Sequence, residues 1–304
     1  MAKVISVKNL VKKYGKLIAV NGISFDVGQG EIFGLLGENG AGKTTTLEMI
    51  EGLRTPTSGS IEVLNCDIVE RRDAVKERIG VQLQSSAYYQ FLTLREILEL
   101  FASFYAKNIS AQKLLKLVDL EHKSGSLIGN LSGGQRQRFS IVASLVNDPE
   151  VVFLDEPTTG LDPIARRNLW DLIIKIKDQG KTIILTTHYM EEAEILCDRV
   201  AIMEMGKILV MDETHKLVEK SKFPYTITFI DKKISEKKLN ELKKYAEVGN
   251  VFGKESKYFL KIKNQAAMTD VLKLVQAINP ESLTVGRATL EDLFIELTGK
   301  QIEE

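Results

Sequence analysis

Residues Gly37, Glu38, Asn39, Gly40, Ala41, Gly42, Lys43 and Thr44 follow the spacing G-x-x-x-x-G-K-[ST]. Those residue types at that spacing suit the holding of phosphate. Glycines let successive backbone N–H groups turn toward phosphate oxygens with no Cβ in the way. A helix beginning at the loop adds its positive N-terminal end. Lys43 is then placed for the β- and γ-phosphates, and the Thr44 hydroxyl for Mg²⁺. An ordinary Gly-rich turn would need neither a buried strand before it nor a helix after it, and the sequence supplies both.

Two further segments carry chemistry. Residues 151–154 are an apolar run that ends in Asp155 and Glu156. In open α/β sheets ligands sit beyond the carboxyl ends of the strands, so this pair is placed to meet the same ligand. Asp155 suits Mg²⁺, directly or through water, and Glu156 suits the polarisation of an attacking water. Alone, such a pair is most often a strand end at the surface. Residues 131–135, Leu-Ser-Gly-Gly-Gln, read as a second anion-binding helix start. Ser132 is a good N-cap, and Gly133 and Gly134 leave backbone N–H groups free. One chain with two such ends suggests two chains sandwiching two nucleotides.

The elements around these residues are legible as periods. Residues 4–7 and 22–27 partly alternate, as half-buried strands do. Residues 31–36, 151–154 and 182–186 are apolar runs of the kind found in buried parallel strands. Residues 44–53 read as a helix, and 94–120 and 133–147 as mainly helical. Apolar strands alternating with helices predict an α/β domain. Composition shifts near Glu219, and a Lys-rich stretch opens a second pattern. There 225–230, 258–263 and 282–285 read as strands, and 235–246, 266–278 and 289–298 as helices, with Gly299 as a stop. The expected division is 1–220 and 221–304. The Lys-rich stretch reads as a solvated surface.

Composition narrows the partners. The 304 residues are 44% hydrophobic, which suits a globular protein with a substantial core. Acidic and basic residues balance at 41 each, so net charge does not call for nucleic acid. Cys66 and Cys197 stand alone, without metal-ligand spacing, which fits a reducing compartment. The start does not read as a signal peptide, and no run approaches the ~18 apolar residues of a spanning helix. A membrane role would therefore be exercised through a partner.

These motifs, in this order, resemble the nucleotide-binding subunits of ABC transporters. The loop matches the family's Walker A motif, 131–135 its signature motif and 151–156 its Walker B motif. The resemblance implies an α/β, P-loop NTPase ABC domain with a parallel-rich sheet core, an antiparallel β subdomain and a helical subdomain, followed by a small C-terminal α/β domain. It implies ATP and Mg²⁺ as ligands, with 37–45, Thr45 included, on the phosphates and Thr44, Asp155 and Gln84 at the metal. Glu156 and His188 become catalytic residues, with Gln84 between the metal and the membrane subunit. Gln82 competes for that role, and the spacing from Ile79-Gly80 favours Gln84. Tyr14 fits the aromatic that stacks on adenine, and residues 160–162 fit the D-loop that joins two subunits. A second copy contributes Ser132, Gly133, Gly134 and Gln135. On residue type alone Tyr14, His188 and Gln84 carry little; a lone Tyr or His is more often structural. Glu38 stands where many family members have Pro, at a variable position.

Residues 289–300 are similar to the C-terminal motif of bacterial drug and antibiotic exporter subunits. The implied protein is an ATPase on the cytoplasmic face of the membrane, held there by a polytopic subunit and working as a dimer. A soluble ABC ATPase switching a non-transport partner is the alternative; such relatives usually carry two of these domains or a long inserted coiled coil.

Overall fold

A computed structural model describes residues 2–82, 88–231, 234–251 and 257–299. The chain divides into two compact units, 1–213 and 214–304.

The first unit opens with long antiparallel strands, β1 (Lys3–Tyr14) and β2 (Leu17–Gly28), then β3 (Ile32–Leu36) and helix α1 (Lys43–Ile50). Next come β4 (Ser58–Val63), β5 (Cys66–Asp67), α2 (Arg72–Lys76) and β6 (Ile79–Gln82). A helical stretch holds α3 (Leu94–Ala102), α4 (Ala111–Leu117) and α5 (Gly133–Ala143). The unit closes with β7 (Val151–Asp155), α6 (Pro163–Asp178), β8 (Thr182–Thr187), α7 (Met190–Leu196), β9 (Arg199–Glu204) and β10 (Lys207–Glu213).

The central sheet has the order β10-β9-β3-β8-β7-β6. All neighbours are parallel except β10, which pairs antiparallel with β9 at one edge. Every residue of β3, β7 and β8 is buried, which is why these strands read as unbroken apolar runs. A second sheet, β2-β1-β4-β5, is antiparallel. A shared core runs from its Ile5, Val7 and Phe25 through Phe33 and Phe153 of the central sheet to Leu47 and Ile50 of α1. Phe25 and Phe33 stack at 5.2 Å across that seam. Cys66 and Cys197 are buried free thiols, and burial pushes the Cys197 thiol well up.

Several boundaries differ from expectation. The strands at 4–7 and 22–27 are each parts of twelve-residue strands. The mainly helical stretch expected at 94–120 consists of α3 and α4, each begun by its own cap, Thr93 and Ser110. Helix α5 ends at Ala143 rather than near 147. Strands β4, β5, β6, β9 and β10 were not expected; they are short or alternate weakly.

The second unit contains α8 (Thr214–Glu219), β11 (Tyr225–Ile230), α9 (Glu236–Leu242), β12 (Ala246–Val251), β13 (Lys257–Ile262), α10 (Gln265–Gln276), β14 (Ser282–Arg287) and α11 (Leu290–Thr298). The order β12-β13-β11-β14, antiparallel throughout, is the split βαβ arrangement. Leu242, Val271 and Val275 of the helices pack on Ile227, Phe229, Leu260 and Ile262 of the sheet. The expected helix at 235–246 stops at Leu242, and Ala246 begins β12 instead. Gly299 ends α11 in the left-handed conformation at φ 71°. Helix α8 packs on α11, which puts it in this unit and the division at 213/214 rather than 220/221.

Candidate functional site

Strands β3, β8 and β7 lie side by side, so their carboxyl ends open on one place. Leu35 is level with Thr186 across one pair, and Asp155 is level with Thr186 across the other. The loop from Gly37 leaves β3 here and turns directly into α1. Its backbone accepts no side chain at two points. Gly37 has φ 153° and a Cβ there would stand 2.3 Å from the Met203 carbonyl oxygen; Gly42 has φ 100° and a Cβ would stand 2.5 Å from that of Ala19. These glycines are fixed by both conformation and space.

Lys43 begins α1 and is 4% exposed. Its Nζ donates to the Gly37 carbonyl at 2.8 Å and the Glu38 carbonyl at 3.1 Å, and lies 3.6 Å from Glu156 Oε1. Burial lowers its pKa, opposed by the nearby Glu156 carboxylate. The Thr44 hydroxyl donates to Asp155 Oδ1 at 3.2 Å, and the Thr186 hydroxyl donates to the same oxygen. Burial raises the Asp155 pKa against the pull of those hydroxyls. A hard-oxygen pair of hydroxyl and carboxylate suits Mg²⁺, which commonly binds one or two carboxylates plus substrate phosphates. Asp155, desolvated beside the Thr44 hydroxyl, fits such an ion.

Glu156 sits just past β7 with φ 47°, a left-handed conformation uncommon for a residue with a Cβ. Its backbone N–H donates to the Thr186 hydroxyl at 3.0 Å. Its Oε2 accepts from the Thr159 hydroxyl at 3.2 Å and lies 3.5 Å from His188 Nδ1. Hydrogen bonding to His188 is the largest cause holding the Glu156 carboxyl below its usual range; burial opposes it and Lys43 assists. Glu156 is thus ionised at neutral pH, as a water-orienting group must be. His188 follows β8, and its ring centre lies 4.2 Å from that of Tyr189 with the planes tilted by 41°.

The remaining sequence-predicted residues stand apart from this cluster. Tyr14 ends β1 and is 41% exposed, with the Lys12 ammonium 5.2 Å and the Arg54 guanidinium 5.8 Å from its ring centre. Ser132 caps α5: its Oγ accepts from Gln135 N at 3.3 Å, and Gln135 Oε1 accepts from Ser132 N at 3.1 Å. Among the described residues Ser132, Gly133, Gly134 and Gln135 make no hydrogen bond to residues 37–45, and Ser132 and Gly133 are exposed. The two glycine-rich helix starts are therefore separate within one chain. Asp162 caps α6, accepting from Ile164 N at 3.0 Å and Ala165 N at 2.9 Å. Gln84 lies outside the described residues.

Two residues of the site escaped sequence reasoning. Thr186 binds both carboxylate positions, Asp155 through its side chain and Glu156 through its backbone; a Thr ending a buried strand beside a phosphate loop is the signal that points to it. Glu192 of α7 is fully buried and accepts from Trp170 Nε1 of α6 at 3.1 Å. Burial raises its pKa, while Thr187, Thr158 and Trp170 pull it down. It thereby joins the end of β8, the segment after Glu156 and α6. Glu192→Ala is expected to cost about 1–3 kcal/mol by leaving Trp170 without an acceptor, lowering the melting temperature and ATP turnover together. Glu192→Gln keeps the acceptor and is expected to retain most of both; thermal melts and phosphate-release assays check this.

Comparison with known proteins adds the following. The ABC transporter family pattern matches residues 20–159. Nod factor export ATP-binding protein I of Burkholderia orbicola (strain AU 1054) is 36% identical over 99% of this chain and 98% of its own length. Its namesake in Rhizobium meliloti (strain 1021) is 36% identical over 99% of this chain and 89% of its own. A solved ATP-binding subunit of an ABC transporter is similar with a TM-score of 0.64 and 29% identity, covering 71% of this chain and 92% of its own. A dimeric ATP-binding cassette in a post-hydrolysis state with ADP and phosphate is similar with a TM-score of 0.63 and 28% identity, covering 69% and 98%.

Proposed function

The chain belongs to the ATP-binding subunits of ABC transporters, and from that premise we propose that its nucleotide site is completed by a second copy and drives export through a separate membrane subunit. Members of the family hydrolyse ATP with Mg²⁺ to power transport, and this chain is such an ATPase. The observation that carries the dimeric reading is the separation of its two anion-binding ends. The cluster of buried Lys43, Asp155 and Glu156 with half-buried His188 is one half of a site, and the exposed, capped start of α5 is another.

In this reading residues 37–45 wrap the phosphates through backbone N–H groups, with Lys43 on the β- and γ-phosphates and Tyr14 against adenine. Thr44 and Asp155 would hold Mg²⁺, which would supply positive charge against the phosphates; Gln84 is assigned beside them by resemblance. The partner copy brings Ser132 to Gln135 over the γ-phosphate, excluding bulk water. Glu156, ionised and anchored by Thr159 and His188, orients one water in line, and His188 supports the charge of the transferring group. Loss of the bridging γ-phosphate removes what held the copies together. The difference in ATP affinity between open and closed states supplies the work.

Export is supported by the full-length similarity to export subunits and by the resemblance of residues 289–300. That similarity also weighs against a soluble switch. No described helix is long and apolar enough to cross a membrane. Attachment to the cytoplasmic face is therefore assigned to the membrane subunit. The test is co-expression of the tagged chain with the polytopic protein encoded in the same gene cluster. Capture of that protein, with ATP turnover that rises on assembly, is expected; a chain that turns over ATP but captures no polytopic protein would sink the transport reading.

A further inference from the structure

Tyr189 stands where a helix start favours other residue types. It is the N-cap of α7, and its side chain makes no capping hydrogen bond. Ser, Thr, Asp or Asn at such a position would stabilise the helix by about 1 kcal/mol. Arg166 is misplaced in the same sense, since it lies in the first turn of α6, where the helix dipole disfavours a cation. The two anomalies meet at one place. The Arg166 guanidinium carbon lies 4.4 Å from the Tyr189 ring centre. Arg166 Nε is buried and makes no hydrogen bond, which strengthens the attraction of the cation to the ring face.

The third member is His188. Neighbouring side chains on extended backbone point to opposite sides. Here the chain turns as it leaves β8, because the Tyr189 N–H donates to the Thr187 hydroxyl at 2.9 Å. The His188 and Tyr189 ring centres are consequently only 4.2 Å apart. His188 Nδ1 faces Glu156 Oε2 at 3.5 Å, and the His188 side chain is 18% exposed, so the groups beside it decide which way the imidazole can turn. Arg166 is anchored in its turn by attraction to the buried Glu192, which accepts from Trp170 Nε1.

Building on the role given to His188 in the ATP cycle, we propose that Tyr189 and Arg166 are positioning residues for that reaction: Arg166 holds the Tyr189 ring, and the ring holds the His188 imidazole against Glu156. The guanidinium keeps the Tyr189 ring from swinging out, and the ring closes one side of the imidazole. His188 Nδ1 is then committed to Glu156, and Nε2 remains for the transferring phosphoryl group. A loose imidazole would lose both directions at once, and a misplacement of about 1 Å at a reacting group can cost 10²-fold in rate. The ring is the working part of Tyr189, because its hydroxyl makes no hydrogen bond to another described residue.

The experiment measures phosphate release by the full chain, in steady state and in single turnovers. Tyr189→Leu is expected to lower kcat about 10- to 100-fold and to leave KM for ATP within about twofold, as loss of alignment in the transition state does. Tyr189→Phe puts the ring back and is expected to recover at least about half of the wild-type kcat. The deciding arm is a double-mutant cycle: in a His188→Ala chain, Tyr189→Leu should cost nothing further, because no imidazole is left to hold. A merely structural role for Tyr189 would multiply the two losses. The chain has three histidines, so the His188 ring resonances can be followed directly; Tyr189→Leu should shift or broaden them and leave those of His122 and His215 in place. Arg166→Lys keeps a charge opposite Glu192 but loses the planar guanidinium. It is expected to lower kcat about 3- to 10-fold, again with no further loss in His188→Ala, and carries the test where Tyr189→Leu does not fold. Wild-type turnover in Tyr189→Leu would overturn the inference, as would losses that multiply with His188→Ala or a Tyr189→Phe defect as large as that of Leu. Wild-type turnover in His188→Ala would instead overturn the role of His188 beneath it.

Discussion

Glu156→Gln is expected to lower ATP turnover by about 10³-fold while leaving nucleotide binding intact, within the range general-base catalysis contributes. The side chain keeps its length and can still accept from Thr159. What it loses is the negative charge that Lys43 at 3.6 Å and His188 at 3.5 Å surround. An amide cannot take a proton from water, so ATP persists between two copies. The φ of 47° at this position is a backbone property that Gln tolerates as well as Glu, so the defect is chemical and not conformational. Phosphate release measures the first effect. Light scattering of the variant with ATP measures the second, as a dimer that outlasts the wild-type one. Undiminished turnover would remove Glu156 from the role assigned to it.

Ser132→Arg is expected to cost about 10²–10³-fold in turnover, the magnitude of losing an aligned donor to a developing anion. The substitution puts a long side chain where the proposed second copy would approach and also removes the cap on α5, itself worth about 1 kcal/mol. Because residues 131–135 make no hydrogen bond to the phosphate loop of their own chain, nucleotide affinity of the isolated chain should be unchanged. Fluorescence titration and turnover together separate the outcomes. Normal turnover in this variant would contradict a site shared between copies.

The phosphate loop, β7 and β8 were legible because each is a local pattern with one physical meaning. Gly37 and Gly42 mark tight backbone contacts, and a strand buried on both faces must be apolar throughout. Ser132 was legible as a cap because its partner, Gln135, lies three residues on. The contacts that organise the site were not legible in the same way. Thr186 reaches Asp155 from a neighbouring strand, and Trp170 reaches Glu192 from a neighbouring helix; neither pairing leaves a periodic trace. The same limit applies to β12, where Ala246 fits an expected helical face yet begins a strand once β13 offers it a ladder. Tyr14, His188 and Gln84 gained their assigned roles from the order of the motifs, not from their own surroundings.

Both sulfur atoms of the cysteine complement lie inside the fold, and reagents attack the exposed thiolate. A single cysteine placed on the surface, for example by Glu121→Cys beside the helical stretch, would therefore be the accessible sulfhydryl in an otherwise native sequence. A spin label or fluorophore attached there could time the approach of two copies turnover by turnover, with Cys66 and Cys197 left in place.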